Sequence, residues 1–212
     1  KKITLDSSMA TADQEDFPVL IHFMDADVAS SAQQDANDIV FTSDDMQTRL
    51  DHEIESYASS TGELYAWVRI PELSSSEDTE LYVYYGNPGV GSQENVSGVW
   101  SNDFTGVWQL DETPDGTSDE IGDSTGNGYD GTTYGSMDSA DQISAQVNGG
   151  LDFDGSDDYI ALDMYYDGTS VLSQLTVCNW FNTTYSNATW NNNWAFLDFD
   201  RSEYFDFYIN AD

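Results

Sequence analysis

Apolar residues in this chain come in short runs of four to eight, each closed by Gly, Asp, Asn, Ser or Pro. Phe17-Pro18-Val19-Leu20-Ile21-His22-Phe23, Asp38-Ile39-Val40-Phe41-Thr42, Leu64-Tyr65-Ala66-Trp67-Val68-Arg69-Ile70-Pro71 and Glu80-Leu81-Tyr82-Val83-Tyr84-Tyr85 are rich in β-branched and aromatic residues. Runs of that length and composition between turn formers read as strands. Further runs fall at 106–110, 150–153, 159–162, 175–181, 194–199 and 204–209. In the last, Phe205, Phe207 and Ile209 alternate with Tyr204, Asp206 and Tyr208, the period of a half-buried strand. No stretch carries a sustained helical period, and residues 26–34 have room for one short helix. The pattern predicts an all-β, antiparallel protein, most simply of sandwich form.

Residues 86–98 hold a dense Gly/Pro/Ser cluster between two strand-rich regions. Such composition marks a boundary. It divides the chain into residues 1–87, a linker at 88–98, and residues 99–212. Residues 111–142 form a long polar stretch punctuated by six glycines, and loops of that length are commonly functional or metal-organised.

Charge changes the picture more than length does. Forty acidic side chains stand against five basic ones, a net charge of −35. A field of that sign repels nucleic acid and anionic membrane, and it weakens a compact state unless salt or cations screen it. Nucleic-acid binding is excluded on this ground. Membrane insertion is not expected either, because no apolar run approaches the 18 residues of a span and the start at Lys1-Lys2 looks like that of a trimmed chain. With 14% aromatic residues the chain has enough bulk to fold. Beyond Val99 the acids are 18 Asp and three Glu, with Arg201 the one basic residue. Asp serves both turns and calcium, so ion binding, turn formation and adaptation to salt all remain open readings. Cys178, alone in an apolar run, is expected to be a buried, inert thiol, and His22 and His52, without cysteine partners, to be structural.

Five motifs in order, Phe17-Pro18-Val19-Leu20, Asp38-Ile39-Val40-Phe41-Thr42-Ser43-Asp44, Leu50-Asp51-His52-Glu53-Ile54-Glu55-Ser56-Tyr57, Ala66-Trp67-Val68-Arg69-Ile70-Pro71 and Leu81-Tyr82-Val83-Tyr84-Tyr85-Gly86-Asn87-Pro88, make residues 1–90 resemble DUF2341. The resemblance implies a small β-domain of large secreted or surface proteins of microbes, with no established chemistry. Residues 99–212 resemble a laminin-G-like, concanavalin A-like jelly roll, through Val107-Trp108-Gln109-Leu110-Asp111-Glu112, the turn from Asp123 to Thr132, Gly149-Gly150-Leu151-Asp152-Phe153-Asp154-Gly155-Ser156-Asp157-Asp158-Tyr159-Ile160 and Leu175 to Phe181. That resemblance implies a two-sheet sandwich, often holding Ca²⁺ and often binding glycans or proteins. Such domains run longer than the stretch of chain after Val99, so an incomplete second module of a larger protein is expected. Together they give two tandem antiparallel β-sandwiches, the second a jelly roll.

Three constellations are candidates for chemistry. Asp123, Asn127 and Asp130, among glycines, offer oxygens to Ca²⁺, and Asp157 and Asp158 could complete the shell; the alternative is that these aspartates only cap turns. Tyr185, Trp190, Asn191 and Asn192 set aromatic faces among amides, as a sugar ring requires, although Trp190 could equally fold back onto the protein. Asp198, Asp200 and Glu203 resemble the acidic strand of concanavalin-like glucanases, with Asp where that family has Glu at the first position. A retaining pair needs carboxyls ~5 to 5.5 Å apart, but fold analogy supplies no mechanism. The expected function is a non-catalytic, calcium-stabilised binding or adhesion module, extracellular or at the cell surface, taking a glycan or another extracellular ligand. A spacer or filament subunit joined through strand edges is the alternative, and a glycoside hydrolase the third reading.

Overall fold

The computed structural model describes residues 1–164, 174–182, 194–198 and 206–209. It is all-β with antiparallel pairing throughout the described sheets. Seven strands precede residue 85: β1 (Lys2–Leu5), β2 (Gln14–Met24), β3 (Val40–Ser43), β4 (Arg49–Leu50), β5 (His52–Ala58), β6 (Glu63–Leu73) and β7 (Thr79–Tyr84). Helix α1 (Ala26–Ser31) follows β2, in the place the sequence left for it, and Asp25 caps it by accepting from the backbone N–H groups of Asp27 and Val28.

These strands form two sheets, in the orders β1-β7-β3-β4 and β2-β6-β5. Strand β6 shows why they face each other. Leu64, Ala66, Val68 and Ile70 are buried while Glu63, Tyr65, Trp67 and Arg69 alternate with them, so one face is apolar and the other mixed. The apolar face meets Phe41, Leu50, Leu81 and Val83 of the other sheet in one core that also takes Ile21, Val28 and Ile39. His52 lies in it too, 1% exposed, with its ring edge-on to Phe41 and its Nε2 unpartnered. Burial lowers its pKa, so the imidazole is neutral and structural.

Strand β5 is irregular at one point. Ile54 pairs with Ala66 but Ser56 pairs with Tyr65, so Glu55 is the extra residue of a β-bulge. The bulge resets the alternation, which turns Tyr57 toward the core and leaves Glu53 and Glu55 on the opposite face. At the β5–β6 turn, Gly62 has φ +69°, and a Cβ there would meet the Asp25 carbonyl oxygen at 2.0 Å. Only glycine fits that approach.

Beyond the core, α2 (Val96–Val99) leads into a segment with little regular structure, then β8 (Gly131–Tyr134), β9 (Gln142–Ser144), β10 (Gly149–Leu151), β11 (Tyr159–Leu162), β12 (Trp194–Asp198) and β13 (Asp206–Ile209). They pair as three hairpin-like ribbons, β10-β9, β11-β8 and β12-β13. The strands expected at 106–110 and 175–181 are not formed. Leu110 has φ +59°, which no strand tolerates, and Trp108 donates its indole N–H to the carbonyl of Tyr129. Within 174–182, Trp180 is 82% exposed and Cys178 is exposed as well, against the expectation of a buried thiol.

Phe41→Ala should cost about 3–5 kcal/mol by emptying the centre of the core, whereas Met9→Ala, at a position 84% exposed, should stay within about 0.5 kcal/mol. Urea unfolding of both variants measures the contrast.

Candidate functional site

The mixed face of the β2-β6-β5 sheet is covered by the chain that follows α2. Trp100, 5% exposed, packs edge-on against Trp67 with ring centres 5.2 Å apart, and Phe104 packs on Trp100 in the same way. Glu53 is the polar centre of this contact. It is 8% exposed, and its carboxylate accepts from Trp100 Nε1 at 2.6 Å, Gln109 Nε2 at 3.1 Å and Ser124 Oγ at 2.7 Å. Three donors from separate points of the covering segment thus converge on one carboxylate. Glu55 beside it accepts from Trp67 Nε1 at 3.2 Å, and Glu112 accepts the N–H of Gly122 on Oε1 while its Oε2 is buried without a partner.

Glu53, Glu55, Asp111, Glu112, Gln109, Asp123 and Ser124 line a cavity of about 310 Å³. Burial drives the Glu55 carboxyl up to about 7, helped by the charges of Asp111 and Glu53. Burial raises Glu53 and Glu112 too, although the donors on each pull the other way. No alternation or spacing had marked these glutamates. Their signal was only that two acids flank Ile54 in an otherwise strand-like run.

The turn from Asp123 to Asp130 is ordered by its own backbone. Asp123 Oδ1 accepts from the N–H groups of Val107 and Thr125, Oδ2 accepts from Tyr129 N–H, and the Thr125 hydroxyl lies within 2.9 Å of both oxygens. Burial acts to raise its pKa, but the bonds from Thr125, Val107 and Tyr129 outweigh it and hold the carboxyl below the usual range. Asn127 donates to the carbonyls of Phe104 and Thr105, and Asp130 Oδ1 accepts from Asp123 N–H. These bonds hold the turn.

Asp157 and Asp158 are brought to a different neighbour. With Asp154 they form, among the described residues, a group of three carboxylates with ligand oxygens mutually within 4.8 Å. Two oxygens on opposite sides of one Ca²⁺ would be ~4.6 to 5.2 Å apart at its usual bond lengths, a span that the three carboxylates could bridge. Asp154 Oδ1 accepts from Ser156 N–H, and Asp158 Oδ2 from Asp154 N–H, which keeps the turn compact. Next to it Tyr159 pairs across the ribbon with Tyr134, their rings stacked 4.9 Å apart and 45–48% exposed. Gly135 lets the turn close on this pair: a Cβ there would sit 2.5 Å from Asp158 Oδ1.

Tyr185, Trp190, Asn191, Asn192, Asp200 and Glu203 lie outside the described residues. Asp198 ends β12 and is exposed.

Asp123→Ala removes the acceptor for several backbone donors and should cost about 1–3 kcal/mol. The loss should be the same in EDTA and in calcium, read by urea unfolding; a loss seen only with calcium present would mean that Asp123 ligates the ion.

A family model described as a domain of unknown function, DUF2341, matches residues 35–141. No curated protein and no solved structure matches the chain. The matched range contains Glu53 together with Trp100, Gln109 and Ser124, the three groups that bind its carboxylate, and it reaches past the 88–98 segment, well beyond residue 90 where the motif resemblance ended. With half of its length inside that match, the chain belongs to the DUF2341 family.

Proposed function

We propose that the protein is a non-catalytic binding module of a larger secreted or surface-displayed protein, steadied by Ca²⁺ and engaging a glycan or another extracellular ligand. In this reading residues 1–87 and 99–212 are successive β-sandwich modules joined through 88–98, the second of jelly-roll type. One observation carries it: the Asp154, Asp157 and Asp158 carboxylates lie within 4.8 Å of one another beside the exposed Tyr134–Tyr159 pair. A cation held by three carboxylates keeps further coordination positions for water or for vicinal hydroxyls, since Ca²⁺ takes six to eight oxygens. A tyrosine face at its side offers the apolar surface that the C–H face of a sugar ring needs. The surplus of acid over base would favour cation uptake, because binding relieves self-repulsion.

A second reading has its own support. Among the described residues β2, an eleven-residue strand, bonds to β6 alone, so its other edge would be open to pairing with another chain. Pro18 interrupts the donors along it, which fits an edge guarded against indiscriminate pairing. In a spacer or filament, that edge rather than the tyrosine corner would be the working surface.

Calcium at a hundredfold excess over its Kd should stabilise by about 2.7 kcal/mol, or roughly 5–10 °C in Tm for a chain of this size. EDTA should reverse the gain, and Asp157→Asn should abolish it. Glycan-array binding should need calcium and fail in Tyr159→Ala. An empty array together with concentration-dependent assembly in the ultracentrifuge would replace this reading by the spacer, and release of reducing sugar, lost in Asp200→Asn, would replace it by a hydrolase.

A further inference from the structure

The cavity under the covering segment poses an electrostatic problem. Glu53, Glu55, Asp111, Glu112 and Asp123 line it, and none of the basic residues Lys1, Lys2, Arg49 and Arg69 does. Those cations are engaged elsewhere: Lys1 with Asp25 and Asp27, Lys2 with Glu80, Arg69 with Asp16 and Asp51, and Arg49 with Gln93. Carboxylates gathered with no counter-cation among the described residues must be satisfied by neutral donors, kept apart, or protonated. Glu53 takes the first course with its three donors. Among the described residues Glu55 has a single donor on its carboxylate, Trp67 Nε1. Glu112 Oε2 has no partner in a place closed to solvent, which suits a protonated carboxyl and penalises an ionised one.

We propose that this contact is a proton-operated latch, closed while Glu55 and Glu112 hold protons and loosened when they ionise, so that the covering segment around 107–124 leaves the sheet as the medium turns from acidic to alkaline. Among the described residues, the ionisable groups that face Glu55 and Glu112 are all acidic. Glu53 comes from β5, Asp111 from the covering segment and Asp123 from its turn, while Glu94, from the approach to α2, acts on Glu53. Neutral donors come from β6 through Trp67 and from the β9–β10 turn, where Asn148 donates to Asp111 Oδ2 and to the Glu55 carbonyl. His52, on the other face of β5, is buried and neutral.

Burial sets the sign of the effect. The Glu55 carboxyl, ordinarily at 4.5, stands at about 7 in the folded protein, so the folded state binds a proton that the unfolded chain has released. Its contribution to stability is complete below 4.5 and is lost as pH rises through about 7. Glu53 and Glu112 are displaced in the same direction. Carboxyls held below their ordinary value, such as Asp45 under its bonds from Thr48 and Gln47, contribute in the opposite sense and only fail in stronger acid. The two windows are separate, so the latch is readable on its own.

The test uses the full chain at constant ionic strength, with EDTA present. Tm at pH 5, 6, 7 and 8 should fall by several degrees, and amide-exchange protection across 107–124, corrected for intrinsic rates, should fall ahead of that in β6. Glu55→Gln, which keeps an oxygen for Trp67, should flatten the slope and raise Tm at pH 8, and carboxyl NMR should lose a titration near neutrality. Glu112→Gln provides the same reading if Glu55→Gln does not fold. Asp157→Asn removes one charge elsewhere and should leave the slope intact. Equal slopes in all the variants would overturn the latch, as would a wild-type slope that calcium abolishes, because the cavity would then answer to a metal ion.

Discussion

Covering both faces of the β2-β6-β5 sheet is the constraint on which the rest of the structure depends. One face is apolar and closes the core against the second sheet. The other carries Glu53, Glu55 and Trp67, and can be covered only if its carboxylates are supplied with partners. Glu53 meets that need by drawing a donor each from Trp100, Gln109 and Ser124, and those three bonds bring the chain beyond α2 back onto the sheet. Trp67, Trp100 and Phe104 then pack edge to face over the same strands, adding apolar contact to the polar clasp. The bulge at Glu55 is part of this arrangement, since it places a second acid on the covered face while returning Tyr57 to the core.

The family match, from 35 to 141, takes in that clasp. The range holds β3 to β8, the carboxylate at the centre of the contact and all three of its donors. It ends before β9 and before Tyr159, although Tyr134 lies within it. Strands β1 and β2 lie before it although they pair with β7 and β6. The match thus includes the clasp around Glu53, whereas the acidic turn at 154–158, the proposed ion site, lies outside it.

High acidity is handled in two ways. On the turns, Asp6, Asp25, Asp45 and Asp123 spend their oxygens on nearby backbone N–H groups. Asp38 does so over longer distances, joining Gln33 to Gly86 and Asn87 from a buried position. Under the covering segment the same solution is incomplete, and there burial lifts glutamate pKa values instead.

Much of the fold was legible because strand periodicity is local. The runs at 17–23, 38–42, 64–71, 80–85 and 159–162 lie in or overlap β2, β3, β6, β7 and β11, and the short helix falls within 26–34. Strand β5 was hidden, since His52-Glu53-Ile54-Glu55 reads as polar until something covers its outer face. Residues 106–110 looked like a strand because Val107, Trp108 and Leu110 are apolar, yet they lie half-buried against other parts of the chain, with Leu110 in a left-handed conformation. The candidate ion site divided in a similar way. Sequence placed oxygen-bearing turns at 123–130 and 157–158, but whether an aspartate faces its own backbone or a neighbouring carboxylate depends on the path of the turn in space. Asp123 went to the backbone, whereas Asp157 and Asp158 met Asp154. What the amino-acid sequence determined alone was strand content, the apolar face of each long strand and the sign of the field, all properties of neighbouring residues. Only the tertiary structure decided which acids are buried together, because that depends on contacts between residues as far apart as Glu53 and Ser124.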